Sequence, residues 1–527
     1  YTNNLKEIYF KNYKTLRKDF CKWIDKNGLI DNLDWWISNP ASRNYNHSKL
    51  FHSFCLIESL KEFLPKNEIS CVFVNDKNIR DVLKNQLKIK VNISIKNNQN
   101  SSIKNFFAIF KNFFYFSIVY FLSNLGKKKE IDKNLNLVLI DTFLEDSNLS
   151  NNRFYGNKLF SLVLKKRNIF FIPTFYEGMN LIDTIQKIIN CKKNKKFLLK
   201  ENYLSLKDLF WSFSLVFRKN ELKNSFTKLK SIDYTNFINE ELRLNNNLSG
   251  QILAWQNFLF FKNLKKKNFK LSKSINWFEN QPQDKGWNKG VRNYFPKAKS
   301  YGYQGFTYFP QYMCLSPTQR EYSSKVVPEI VLSIGKKFNN SKKEFCKSLK
   351  VKTSPALNFQ HLHKKQKKYF GKSESILIIL SGFIEDDVNL LNWVIQSNIH
   401  KENRKIFIKE HPILKIKKIK KFINFFPSNY KISKKDFWSS VNMSENLICS
   451  GSTSATIELI ISGRFCIIPK INPLDEEIFK KLKMSKNFII LKRSNELPNH
   501  LKKNKIINYN KQNYFMKITK NNIKLFL

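Results

Sequence analysis

The sequence has little of what would place it in a specialised structural class. Glycine and proline number 14 each among 527 residues, and there is no low-complexity tract, which argues against a disordered or collagen-like polymer. Its eight cysteines (Cys21, Cys55, Cys71, Cys191, Cys314, Cys346, Cys449, Cys466) are scattered without a CxxC pair. Neither a zinc site nor a disulfide framework is indicated, and a reducing cytoplasmic compartment is expected. Acidic side chains are scarce: 41 Asp and Glu against 93 Lys and Arg give a formal net charge of +52. An anionic partner would fit that balance, but the lysines are spread along the chain, and neither an RRM aromatic signature nor a zinc-finger spacing occurs. No nucleic-acid partner is expected.

What is present suits an ordinary globular protein. A hydrophobic content of 42% supports two or three domains with their own cores. One apolar run, "FFAIFKNFFYFSIVYFLSNL" at 106–125, is about long enough to span a bilayer, although Lys111 and Asn112 interrupt it and "GKKKE" follows. A buried helix, a helix lying in the headgroup layer and a true span are its three readings.

Elsewhere short apolar runs alternate with longer amphipathic ones, the pattern of an α/β fold with parallel sheets. Strands are expected at 69–75, 135–143, 168–175, 274–280 and 298–305, and again at 329–335, 375–383, 404–412, 446–452, 464–470 and 487–491. Apolar spacing of three and four predicts packing helices between 195 and 270. The stretch 316–329 is the expected linker. It divides residues 1–325, a Rossmann-like domain with helical insertions at about 100–130 and 195–270, from a second Rossmann-like domain at 326–510 and a tail at 511–527. Two doubly wound domains facing a central cleft would bind ligands outside the carboxyl ends of their strands.

Two strand ends in the second domain carry chemistry. In "RKIFIKEHP" Pro412 ends the ladder and holds His411 at the sheet rim, with Lys409 nearby, where a hydrogen-bonding ring suits a phosphate. In "NLICSGSTSATIELIISG" a strand runs into Ser450, Ser452, Thr453 and Ser454 and then a helix, so hydroxyls, N–H groups and the helix dipole meet at one place. A cap needs one hydroxyl, with Ser454 the expected N-cap. Glu458, one turn on, is then open to a ribose. The turn "LSGFIEDD" at 380–387, with Ser381 and Gly382, is expected as a third wall. No Asp-x-Asp pair sits at an apolar strand end, so no metal is required and no cofactor is expected.

This Lys-x-His-Pro motif with a later Ser/Thr-rich loop resembles the nucleotide-binding domain of GT-B glycosyltransferases that use CMP-activated sugars. Those include bacterial sialyltransferases and the Kdo transferases of capsule and lipopolysaccharide assembly; polymerases using CDP-glycerol carry a similar pair. The resemblance implies that His411 and Pro412 meet the donor phosphate and base, Ser452 to Ser454 the phosphate, and Glu458 the ribose.

In the first domain, "INWFENQPQDKGWNKGVRNYFPKAKSYGYQGF" at 275–306 gathers Glu279, Asn280, Gln281, Asp284, Lys285, Tyr303 and Gln304 at two strand ends, as a substrate site would. "LDWWISNPASRNYNHSKLF" at 33–51 adds Trp35, Trp36, Ser42, Arg43, Ser48 and Lys49, offering stacking faces and anion donors for a sugar. With "DTF" at 141–143, "PTF" at 173–175 and "SPALNFQHL" at 354–362, these blocks resemble bacterial surface-carbohydrate (capsule or O-antigen) biosynthesis proteins. Sugar transfer needs a carboxylate near the anomeric carbon, for which Glu279 and Asp284 are the candidates. The expectation is a glycosyltransferase passing an acidic sugar such as Kdo to a glycan or lipid-linked acceptor at the anionic inner face of the cytoplasmic membrane. The alternatives are a non-catalytic nucleotide- or glycan-binding scaffold, or a polyol-phosphate transferase using CDP-glycerol.

Overall fold

The computed structural model describes residues 3–527 apart from 29–30, 70, 75, 90–91, 96–100, 127–128, 145–148, 150–153, 177–179, 223–225, 308, 365–374, 452 and 502–507. Strands β1 (Cys71–Val74) and β2 (Asn92–Ile95) pair as a small separate ribbon. A six-stranded sheet is built from β3 (Asn136–Phe143), β4 (Ile169–Thr174), β5 (Lys270–Trp277), β6 (Lys299–Gln304), β7 (Ile330–Ser333) and β8 (Lys350–Thr353). A second six-stranded sheet holds β9 (Ser375–Ile379), β10 (Lys405–Lys409), β11 (Tyr430–Ile432), β12 (Asn446–Cys449), β13 (Cys466–Pro469) and β14 (Phe488–Leu491). Every pairing between these strands is parallel. The helices that matter below are α1 (Ser101–Asn124), α2 (Leu181–Lys193), α3 (Leu206–Phe213), α4 (Leu248–Lys266), α5 (Pro282–Tyr294), α6 (Ile384–Gln396) and α7 (Ser454–Ile461).

The expected α/β two-domain architecture is present, and β9 shows how the residues dictate it. "SILII" is buried at every position, as a central parallel strand covered on both faces must be. Alternate side chains go to opposite faces, so Ile376 and Ile378 enter a core private to the second domain. Leu377 and Ile379 enter one continuous with the first.

The domain boundary at 325 is corrected. β7 pairs with β6 from Tyr301↔Ile330 to Gln304↔Ser333, and β8 pairs with β7, so both complete the first sheet. The chain crosses to the second domain only after Thr353. The stretch at 316–329 is irregular without being a linker: Ser316, Thr318 and Glu321 are buried, and Glu321 is bound by Arg43 from the N-terminal block. The C-terminal tail also returns to the first domain. Met516 N–H donates to the Ile334 carbonyl at 2.8 Å, and Phe526 packs edge-on against Tyr303 at 5.1 Å.

The apolar run at 106–125 forms most of α1, a helix long and apolar enough by composition to cross a membrane, with 33% of that window buried. It lies along the first domain. Its Asn112, Tyr115, Phe116, Val119 and Ser123 face inward, and Tyr115 hydroxyl meets Thr184 of α2 at 3.2 Å.

Candidate active site

In the second sheet the strand order is β11-β10-β9-β12-β13-β14, so the chain's direction of travel reverses between β9 and β12. A crevice opens beyond the carboxyl ends of strands at such a point. The turns that rim it follow β9 (Leu380–Phe383), β10 (Glu410–Leu414) and β12 (Ser450–Thr453).

After β9, the backbone N–H and hydroxyl of Ser381 donate to Asp387 Oδ1 at 2.6 and 2.8 Å, and Gly382 N–H donates to Oδ2 at 3.0 Å. The start of α6 is thus capped by its own carboxylate, which burial pushes up against the pull of those bonds. Ser381, expected to hold a nucleotide, has its donors committed here. Gly382 has a different use. Its φ of +90° is a conformation few other residues adopt. A Cβ there would lie 2.5 Å from Nδ1 of His411, so the imidazole rests on the bare α-carbon.

His411 follows β10 as expected and is half-buried, with exposed Pro412 beside it. Its Nδ1 accepts from Ile413 N–H at 3.3 Å, which leaves Nε2 to carry the ring proton. By strand spacing its backbone stands about 10 Å from the β12 turn. Leaning over Gly382 carries the ring toward that turn. Lys409 is tied down: its ammonium donates to the Lys435 carbonyl.

After β12, the cap of α7 is Thr453, whose hydroxyl accepts from Ala455 N–H at 3.4 Å. Ser454, expected as the cap, is the first helical residue instead, and its hydroxyl is left for another task. Ser452 lies outside the described residues. Ser450 is buried, with its carbonyl accepting from the Thr456 hydroxyl at 2.6 Å. Glu458, expected to be open to a ribose, is engaged by Nε2 of His361 at 3.2 Å; burial raises its carboxyl and His361 opposes that. His361 comes from the segment that joins the domains.

The first sheet runs β4-β3-β5-β6-β7-β8 and reverses between β3 and β5. Asp141, at the end of β3, accepts from the Thr174 hydroxyl at 2.8 Å, and burial lifts its carboxyl to about 6 against Lys200. β5 leads into Glu279, Asn280 and Gln281, and α5 follows. Asp284 accepts from the N–H groups of Glu279 and Gln281, each at 3.0 Å, and is sealed from solvent. Burial first, then Asp141, raises its carboxyl well above the ordinary range. It is the third residue of α5 and closes a capping box with the N-cap Gln281, a buried structural engagement in place of the expected role as a reacting carboxylate. Glu279 is half-buried, and its Oε1 accepts from Trp277 Nε1 at 2.7 Å.

Most of the expected sugar-binding residues are interior. Trp35 and Trp36 are core side chains, and Ser42 donates to the Asn39 carbonyl at 2.6 Å. Arg43 and Lys285 both bind Glu321, at 2.6 and 3.0 Å, with all three side chains 0% exposed. Asn280 joins them by donating its amide to both Glu321 carboxylate oxygens at 3.2 Å, and it also donates to the Cys314 carbonyl at 2.9 Å. Burial works against the Glu321 carboxylate, and the two cations outweigh it and hold the group below its ordinary range. This buried cluster braces the N-terminal block against α5. Tyr303 donates to the Pro355 carbonyl and Gln304 to the Leu315 carbonyl, both fully buried. Ser48 donates to Glu241 at 2.5 Å. Half-buried Gln281 and exposed Lys49 keep access to solvent.

Contacts around the rims also involve residues no motif marked. Thr307, just past β6, meets the Ser454 hydroxyl at 2.9 Å. Trp277 pairs with Tyr303 in register, so Glu279 and Thr307 lie on the same edge. Tyr45 and Tyr312 share a hydroxyl contact at 3.0 Å, and both rings pack on Phe383. Lys342, its ammonium pulled down to about 7 by burial, lies over Phe306 at 5.4 Å. Isolated Tyr, Thr and Lys residues give no sequence signal for such roles. Among the described residues no group of three His, Cys, Asp or Glu side chains is gathered as for a metal. A hollow of about 470 Å³ is lined by Asp34, Trp211, Arg218 and Trp255, with the Arg218 guanidinium over both indoles.

No protein-family model and no curated protein matches this chain. Among solved structures, MurG of Acinetobacter baumannii overlaps 69% of this chain and 90% of its own, with a TM-score of 0.32 and 10% identity. Os79 from O. sativa in complex with UDP overlaps 66% and 84%, with a TM-score of 0.34 and 9% identity. The spinosyn rhamnosyltransferase SpnG, complexed with thymidine diphosphate, overlaps 67% and 86%, with a TM-score of 0.30 and 9% identity. Such values assign neither a residue nor an activity here, and what the strand order and pairing establish is an α/β fold of two parallel-sheet domains.

Proposed function

We propose that the chain is a GT-B-type glycosyltransferase, with the donor nucleotide in the second domain's crevice and the acceptor on the first domain. The reading is supported chiefly by the Thr307–Ser454 contact, because it brings the carboxyl-end rims of both sheets to one place. His411 Nε2–H, the hydroxyls of Thr453 and Ser454 and the N-terminus of α7 stabilise the phosphate as it leaves. The sugar's bond to the phosphate oxygen breaks and a bond to an acceptor hydroxyl forms. Glu279 takes the hydroxyl proton. These hydrogen-bond donors and the positive end of α7 spread the developing charge, and the reading assigns no metal to the step. The donor is a CMP-activated acidic sugar of the Kdo or nonulosonate type, and the acceptor is a surface polysaccharide or its lipid-linked precursor in the cytoplasm.

The test is thermal-shift titration with CMP, CDP, UDP and GDP, alongside transfer assays. CMP should raise the melting temperature most, and His411→Ala should abolish transfer while the protein stays folded. Full transfer by the alanine variant would remove this site assignment, and a stronger response to UDP would replace the donor class.

A further inference from the structure

Helix α1 carries apolar side chains on its outer face as well as its inner one. Its polar Asn112 and Ser123 are 3% and 2% exposed, whereas Phe106, Phe107, Phe110 and Phe114 are 58–67% exposed, and Phe121 is 59% exposed. At 100° per residue these rings, with Phe113, fall in a stripe about 120° wide on the side away from the domain. The surface continues past the helix: Phe113 contacts Phe210 of α3, and Phe210, Phe217 and Ile182 of α2 are themselves more than half exposed. A contiguous apolar face of this kind marks a docking site rather than ordinary surface scatter.

We propose that this face seats on an anionic lipid bilayer, with α1 lying in the plane of the headgroups. Three observations choose the occupant and the pose. First, the C-terminal half of α1 is bound to the first domain. Tyr115 meets Thr184, Asn124 donates to the Glu201 carbonyl, and the Lys192 ammonium donates to the carbonyls of Leu122 and Leu125. One side of the helix cannot leave the protein, so it lies on a membrane and does not cross it. Second, exposed Lys111, Lys207 and Lys193 sit on α1, α3 and α2 against exposed Asp183, which suits a negative headgroup layer. Third, a second copy of this chain brings the same +52 charge to the contact, and like charge opposes that pairing while an anionic membrane complements it. This inference is independent of sugar transfer and stands or falls separately from it.

The test is co-sedimentation of the full chain with vesicles of phosphatidylcholine, alone and mixed with phosphatidylglycerol. The protein should pellet with the mixed vesicles. Replacing Phe110→Ser and Phe114→Ser together should weaken that partition by at least about tenfold while the melting temperature holds. A Phe110→Trp variant, which keeps an aromatic ring, should still pellet and should gain indole fluorescence quenching by brominated lipid over the wild type. Failure of the wild type to pellet, equal pelleting by the double serine variant, or no added quenching in the tryptophan variant would overturn the proposal. So would a wild-type dimer in light scattering that the serine variant dissolves.

Discussion

Gly382→Ala tests the one place where backbone and site geometry meet. A methyl group there lies 2.5 Å from His411 Nδ1 and 2.6 Å from Cγ, where ordinary contact begins near 3.4 Å, so the ring must retreat by about 1 Å. Two costs add: about 1–2 kcal/mol for an L-residue at φ +90°, and about 1–3 kcal/mol for the overlap. For a domain of this size the sum lowers the melting temperature by roughly 5–15 °C. Moving the ring that far from the crevice should reduce kcat/KM by up to about 100-fold. Placing Gly382→Ala in a His411→Ala background separates the costs. Without the ring the overlap vanishes, and the destabilisation should fall to the φ component of about 1–2 kcal/mol. Denaturant unfolding of the four proteins measures this directly, and an equal cost in both backgrounds would refute the contact.

Glu279→Gln should lower kcat by about 10²–10⁴-fold and leave the nucleotide-induced thermal shift unchanged; wild-type turnover would move the base elsewhere. Asp475 gives a prediction in pH. Burial is the main cause that lifts its carboxyl from an ordinary 3.8 to about 7, with Asp386 adding and the N–H groups of Asn472 and Ile471 opposing. The folded state therefore keeps a proton that the unfolded chain loses first, so stability is full at low pH and declines as pH rises from about 4 through about 7. Asp475→Asn should lose less stability than wild type between about pH 5 and about pH 8, by up to ~3 kcal/mol, in urea unfolding at the two pH values. Parallel declines would place the titration on another group.

The strands of the second sheet were legible because "SILII" and "NLIC" are apolar after their first residue and buried on both faces. β8, "KVKT", and the three-residue β11 are edge strands, where lysines and brevity blunt the pattern that interior strands display. His411 and the turn at 450–454 stood out because proline and clustered hydroxyls are local signals. The block at 33–49 misled for the opposite reason. Its polar residues suggest a surface, yet Arg43 finds its counter-charge at Glu321, far along the chain. Short-range pattern cannot anticipate a neutralising partner that only the fold supplies. The same holds for Glu458 and His361.

The chain passes between its domains twice, outward after Thr353 and back before the segment ending at Phe526 packs on Tyr303. Any relative movement of the halves is limited to what both connections, and the core that Leu377 and Ile379 share with the first domain, allow. On the proposed function, donor entry and nucleotide release would both depend on this restricted movement, so bracing either crossing should slow both together.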